Sequence, residues 1–200
     1  MPYEYRKLSP KEKIQIVEER RQRGFPLHQP PHPFRETGCY LITAANFEHA
    51  NIMAAPDRRT AFQEILLKGF QEIHAEIIGW VILTNHYHIL ANIESLDLVS
   101  NLLKQIHGST SYEWNKEDGL TGRRKVWYRY ADRMMRNKRH LYQTLNYIHY
   151  NPVKHDLVED VYDWPWSSLF RYVDGKGQEW LRNQWGKYKP PTDFGKGWDE

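Results

Sequence analysis

Trp80-Val81-Ile82-Leu83-Thr84-Asn85-His86-Tyr87-His88-Ile89-Leu90 is the stretch around which the rest of the chain is arranged. Its apolar, β-branched start predicts a buried strand, Thr84-Asn85 a short turn, and His86 onward a second strand. Residues two apart in a strand point to one side, so His86 and His88 share a face and Tyr87 takes the other. At a rise of ~3.3 Å per residue their Cα atoms lie roughly 6.6 Å apart. Two imidazoles at that spacing can converge on one metal ion. They can equally pack as two sheet histidines, and the pair alone favours neither reading.

Outward from this stretch the chain alternates strands and helices. Cys39 to Ala45 reads as a first strand. Asp57 opens a helix whose Phe62, Leu66, Phe70 and Ile73 recur at three- and four-residue spacing. Ile77–Leu83 is the second strand and His86–Ile93 the third. Asp97 caps a further helix with Leu98, Leu102 and Ile106 facing inward, continuing toward Tyr112 and Trp114 past the weak helix formers Gly108 and Ser109. Glu117–Gly122 is turn-rich, and Val126–Ala131 reads as a short aromatic strand. Asn137 or Lys138 begins the last core helix. The order strand, helix, strand, strand, helix, strand, helix predicts an α+β fold, a ferredoxin-like antiparallel sheet with helices packed on it.

At the start, Ser9-Pro10-Lys11-Glu12 is a helix-initiating box, with Ile14 and Val17 as a thin apolar stripe and Gly24 as a stop. Pro26, Pro30, Pro31 and Pro33 make residues 26–34 an extended connector; His28 and His32 within it read as loop residues rather than ligands. The division is thus an arm over 1–34, a domain over 35–173 and a tail over 174–200. At the end of the domain, Trp164-Pro165-Trp166-Ser167-Ser168-Leu169-Phe170 reads as a turn leading into a short helix; in the tail, Trp180, Trp185 and Trp198 suit a segment that wraps the domain or binds a DNA end, with disorder expected in the last ten residues.

Composition narrows the function. Among 200 residues there is one cysteine, Cys39, which excludes an internal disulfide and a thiolate metal cluster. It lies in an apolar run and reads as a buried, inert thiol. The apolar run Ile77–Leu83 is far too short to span a bilayer. The N-terminus carries charges and Pro instead of an apolar signal core, so no membrane role and a cytoplasmic location are expected. Net charge is +3, unevenly placed: residues 1–94 hold 11 basic and 11 acidic side chains, 95–155 hold 11 and 5, and 156–200 hold 6 and 9. A basic middle third points to a polyanionic partner. Lys104, Arg123, Arg124, Arg133, Arg136, Lys138 and Arg139 are candidate phosphate contacts. Trp127, Tyr128 and Tyr130 are candidate base stackers, half of which strand alternation assigns to the core.

The helix ending in His149-Tyr150-Asn151-Pro152 is the second informative piece. A residue before Pro is pushed out of the α region, so the helix is expected to end near Asn151. Leu141, Leu145 and Ile148 form one apolar stripe. His140, Thr144, Tyr147 and Asn151 lie on a neighbouring face, with Tyr147 and Asn151 one turn apart. A phenol can act as a nucleophile, and an amide oxygen can complete a metal site begun by two histidines. The alternatives are a rim aromatic and a helix-terminating Asn.

Taken together, Asn85-His86-Tyr87-His88, Val126-Trp127, Tyr147-Ile148-His149-Tyr150-Asn151-Pro152-Val153-Lys154 and Trp164-Pro165-Trp166-Ser167-Ser168 resemble the REP-associated tyrosine transposases, a branch of the single-tyrosine HUH transposases. The resemblance covers roughly residues 35–173. It implies that His86 and His88 bind a divalent ion, Mg²⁺ or Mn²⁺, that Asn151 is the third ligand, and that Tyr147 is the nucleophile. Two departures stand out: Lys154-His155-Asp156 where the family usually has a basic residue, Ala and Gly, and Tyr87 where a small aliphatic residue is usual. The first bears on the local backbone or a DNA contact; the second leaves the ligands untouched.

The function so implied is metal-dependent nicking and joining of single-stranded or hairpin DNA through a 5′-phosphotyrosine, with a free 3′-hydroxyl as the other product. Neutral imidazole is the ligating form, so activity is expected to fall in acid. A homodimer through the sheet is compatible with the chain. Two other readings are a non-catalytic binder of structured single-stranded DNA and a metal-dependent phosphohydrolase in which Tyr147 is structural.

Overall fold

The computed structural model describes residues 37–120 and 124–195, together with Ser9, Lys11, Glu12, Ile14, Gln15 and Glu18. Val17, Gly24, the Pro-rich connector with His28 and His32, Arg123 and Trp198 lie outside the described residues. In order come β1 (Gly38–Ala45), α1 (Pro56–Glu72), β2 (Glu76–Ile82), β3 (His86–Ile93), α2 (Leu96–Glu117), β4 (Ala131–Met134), α3 (Lys138–Lys154), α4 (Leu169–Lys176) and α5 (Gln178–Lys187). The strands pair antiparallel in the order β2-β3-β1-β4, the ferredoxin-like split arrangement of an α+β fold.

Register decides which residues reach which layer. Thr43 pairs with His88 and Ala45 with His86. Alternation then sends Ile42, Ala44, Tyr87, Ile89 and Ala91 to one face, against Phe62, Leu66 and Phe70 of α1 and Val99, Leu103 and Ile106 of α2. Leu41, Val81 and Leu90 go to the other face, against Leu145 and Ile148 of α3 and against Trp164. His86 and His88 belong to this second face, so the sheet delivers both imidazoles to α3. The aromatic block after α3 seals the edge of β2: Ile82 N–H donates to the Trp166 carbonyl at 2.9 Å, Ser168 N–H to the Trp80 carbonyl at 2.9 Å, and Trp164 Nε1 to the Ile82 carbonyl at 3.0 Å.

Ser9 and Glu12 close the expected box: Ser9 N–H and Oγ donate to Glu12 Oε2 at 2.7 and 2.6 Å, and Glu12 N–H donates to Ser9 Oγ at 3.3 Å. Three expectations are corrected. Ser95, not Asp97, caps α2, its hydroxyl accepting from Asp97 N–H at 3.1 Å; the inward face is set by Val99, Leu103 and Ile106, and Leu98 is 41% exposed. The aromatic segment Val126–Tyr130 makes one bridge, Trp127 to Asn46, and the ladder with β1 begins only at Ala131. Between that bridge and the ladder, three residues, Tyr128, Arg129 and Tyr130, face only Ala44 and Ala45 of β1, so an extra residue breaks the pairing although Tyr128 N–H still donates to the Ala45 carbonyl at 2.9 Å. Finally, α3 runs three residues beyond Asn151, carrying Pro152 inside its last turn. A proline loses one intrahelical bond, and the helix stops two residues later with His155 N–H on the Asn151 carbonyl at 3.1 Å. Cys39 is half-buried, and desolvation pushes its thiol up to about 12. Among the described residues no helix is long and apolar enough to cross a membrane.

Candidate active site

His86 and His88 are both buried, with ring centres 5.1 Å apart and planes nearly perpendicular. Each is oriented by a polar partner on its Nδ1. Asn85 Nδ2 donates to the His49 carbonyl at 3.2 Å, which turns Asn85 Oδ1 toward His86 Nδ1 at 2.7 Å. Thr43, directly across the ladder, places Oγ1 2.7 Å from His88 Nδ1. A carbonyl or hydroxyl that accepts Nδ1–H leaves Nε2 as the lone pair directed into the site, the form in which imidazole ligates.

α3 supplies the opposing groups. Asn151 is fully buried and sets Oδ1 3.2 Å from His86 Nε2. With Nδ1–H directed to Asn85, two lone pairs face each other across that gap, and a cation between them satisfies both. Asn151 Nδ2 is buried without a hydrogen-bond partner. Turned over, the amide would donate to Nε2 and close the pair as an ordinary hydrogen bond. Two imidazoles and an amide oxygen form a neutral nitrogen–oxygen donor set that suits Mn²⁺, and Mg²⁺ less well. Among the described residues, no three His, Cys, Asp or Glu side chains are gathered closely enough to hold an ion. The fit therefore depends on the amide as third donor.

Tyr147, one turn before Asn151, packs its ring 5.6 Å from that of His88. Lys154 Nζ donates to its hydroxyl at 3.0 Å and lies 4.8 Å over its ring. The tail covers it: Phe194 meets the ring edge-on at 5.8 Å, and a Cβ built on Gly195 would collide with Cε2, Cζ and the hydroxyl oxygen. Tyr147 is accordingly 4% exposed. α5 anchors that tail on α3 through Asn146 Nδ2, which donates to the Gln184 and Tyr188 carbonyls at 3.1 Å each. Residues 191–195, where disorder is expected from composition, thus end in contact with the phenol.

The candidate phosphate contacts scatter more widely. Lys104 lines a groove of about 650 Å³ between α2 and residues 124–130, with Lys125, Tyr128, Arg129 and Tyr130. Arg124 borders the same groove, but its guanidinium is held by Asp118 at 2.7 Å and Asn115 at 3.0 Å. Arg133 and Arg136 flank His140 near the start of α3, and desolvation followed by the neighbouring Arg136 holds the Arg133 guanidinium below its ordinary range. Lys138 and Arg139 are exposed in the first turn of α3. Trp127 is a core residue, stacked 4.5 Å from His107 and 5.1 Å from Phe62. Thr43, the orienting role of Asn85, and the Phe194–Gly195 cover were not found from sequence. The one signal for Thr43 is a polar residue inside the apolar run Leu41 to Ala45.

No protein-family model matches the chain. A Haemophilus influenzae protein whose name assigns it to the REP-associated tyrosine transposases is 31% identical over 150 residues, covering 70% of this chain and 84% of that protein. A REP-associated tyrosine transposase of Escherichia coli K12 is 31% identical over 100 residues, covering 49% of this chain and 56% of its own length. Among solved structures, a REP-associated tyrosine transposase bound to a REP hairpin shares the fold with a TM-score of 0.59 and 23% identity, over 74% of this chain and 86% of that one.

Proposed function

From the premise that this chain belongs to the REP-associated tyrosine transposases, we propose that it nicks and rejoins one strand of hairpin-forming DNA with Tyr147 as nucleophile. His86, His88 and Asn151 would hold a divalent ion, Mn²⁺ or Mg²⁺. The observation that carries the reading is the 3.2 Å approach of Asn151 Oδ1 to His86 Nε2 beside the Tyr147 ring, made by two elements far apart in sequence. A divalent ion there supplies Lewis acidity toward the scissile phosphate.

The protein's own groups account for the rest. Asn85 and Thr43 fix the imidazoles. Lys154 places a positive charge where negative charge develops on the attacking oxygen. Attack forms a Tyr147–phosphate ester at the 5′ side and releases a 3′-hydroxyl; the ester conserves the phosphodiester bond energy, so the reverse attack rejoins a strand. The groove beside Lys104, Lys125 and Arg129 offers cations with Tyr128 and Tyr130 between them, a surface suited to unpaired DNA.

The cover over Tyr147 favours one second reading, a binder of structured DNA without turnover. Incubation with a hairpin oligonucleotide and Mn²⁺, followed by a denaturing gel, separates the two. A covalent protein–DNA adduct is expected. Retarded DNA on a native gel with no adduct under any divalent ion would establish the binder instead.

A further inference from the structure

Three exposed cations, Lys104, Lys125 and Arg129, line the groove between α2 and residues 124–130, and among the described residues no carboxylate does. The inner wall is different in kind. His107 lines it, stacked on the buried Trp127 ring at 4.5 Å and 14°, and its Nε2 meets the Tyr87 hydroxyl at 3.0 Å. Burial pushes His107 down to about 3, and burial, followed by the neighbouring Tyr130, keeps the Tyr87 phenol protonated. The groove thus has a neutral, aromatic, hydrogen-bonding side and a cationic side. A single nucleic-acid strand carries the matching division, neutral bases along one side and charged phosphates along the other. The volume, about 650 Å³, falls in the range of roughly 300–1,000 Å³ common to sites that enclose organic ligands. Position adds a second observation. Tyr87 lies between His86 and His88 on β3 and points to the α2 face, while the imidazoles point to α3. One strand therefore separates this groove from the proposed ion site.

We propose that the groove is a second DNA site, which takes an unpaired stretch of the hairpin DNA on the face of the sheet away from the reacting phosphate, with phosphates on Lys104, Lys125 and Arg129 and a base against Tyr130 and His107. This rests on the DNA reading above and deepens it. The DNA is gripped on one face and cut on the other, so a strand held in the groove reaches Tyr147 only by passing around a border of the sheet. Arg124, although it borders the groove, is engaged by Asp118 and contributes little free charge.

Fluorescence anisotropy of the full chain in EDTA measures this grip without ion or turnover. The probes are a labelled hairpin with an unpaired flank and the blunt duplex of its stem. Lys104→Gln with Arg129→Gln removes two exposed charges from the groove; Lys176→Gln with Arg182→Gln removes the same charge from exposed positions of α4 and α5. The groove pair is expected to weaken hairpin binding about tenfold or more and to lower the salt slope by about 1.4, since each phosphate contact on a single strand contributes about 0.7. The duplex should lose less, and the control pair should change hairpin affinity by under about threefold. Tyr130→Leu keeps an apolar side chain and removes the ring; it should cost about fivefold or more with the salt slope unchanged, the mark of lost stacking. Parental affinity in Tyr130→Leu would overturn the base contact. A groove pair that matches the parent or the control pair, or that loses hairpin and duplex equally, would overturn the groove site while leaving the Tyr147 reading standing. Groove-dependent binding by a parent that forms no adduct with Mn²⁺ would keep the groove and overturn the proposed chemistry. No hairpin binding by the parent would overturn both.

Discussion

Thr43 shows how much of a site one hydroxyl can settle. Its Oγ1 is the polar atom paired with His88 Nδ1, on a buried strand. Thr43→Val keeps the shape and removes the partner. We expect divalent-ion affinity to fall by about 10–100-fold, read by calorimetry, with stability lowered by only ~1–2 kcal/mol. Tyr147→Phe makes a different cut. It removes the Lys154 partner and the proposed nucleophile while keeping the ring packed on His88 and Phe194, so adduct formation should vanish and hairpin retardation persist. A variant that still forms the adduct would move the nucleophile elsewhere. That His86 and His88 share a sheet face, and Tyr147 and Asn151 a helix face, was legible because those pairings are local, set by periods of two and of four residues; the roles proposed for them came from the resemblance. Thr43 was not, because which residue faces His88 depends on the β1–β3 register, and a single strand does not encode its neighbour's alignment.

At the scale of elements, a buried polar knot separate from the His86–Asn151 contact helps dock α3 on the sheet. Ser168 Oγ bonds His149 Nε2 at 2.9 Å and accepts Trp80 N–H at 3.0 Å, tying α3, the aromatic block and β2 together. Full burial pushes the His149 pKa down to about 3, so the folded state holds it neutral. Unfolded, it binds a proton near pH 6.5. This stability is therefore complete above about pH 6.5 and is lost as pH falls from there toward 3, at ~1.4 kcal/mol per pH unit for this one proton. His107, pushed down to about 3 by burial beside Trp127, acts in the same direction. Urea midpoints measured between pH 7 and pH 4.5 should fall steadily, and His149→Gln should flatten the slope by about one proton. The same helix explains a misreading. Pro152 marked the end of α3 too early, because a proline in the final turn removes a single bond and the helix continues to Lys154. That extension is what carries Lys154 to Tyr147, a contact no rule of helix termination would have supplied.

The whole molecule places every proposed catalytic group within one chain. β3 brings the imidazoles and β1 the Thr43 hydroxyl that orients one of them, α3 brings the amide, the phenol and Lys154, and the tail returns to cover the phenol. The basic middle third supplies α2, the 124–130 segment and the start of α3, so positive charge is spread over several elements instead of lying in one patch, and the groove of Lys104 lies on the α2 side of the sheet, opposite the face that carries the imidazoles. Element order and sheet type could be read from hydrophobic period; the placement of the tail could not, because a weakly apolar helix finds its docking face only after α3 exists. Assembly within one chain makes a sharp prediction about subunits. His86→Ala lacks part of the proposed ion site and Tyr147→Phe lacks the proposed nucleophile. If each chain builds its own site, mixing the two inactive proteins in equal amounts gives no adduct, because neither chain gains what it lacks from the other. If the phenol instead served a neighbouring chain, mixed pairs would combine one intact ion site with one intact tyrosine and restore about a quarter of the parent's adduct at saturating association. The 5.6 Å contact between the rings of Tyr147 and His88 inside a single chain argues for the first outcome.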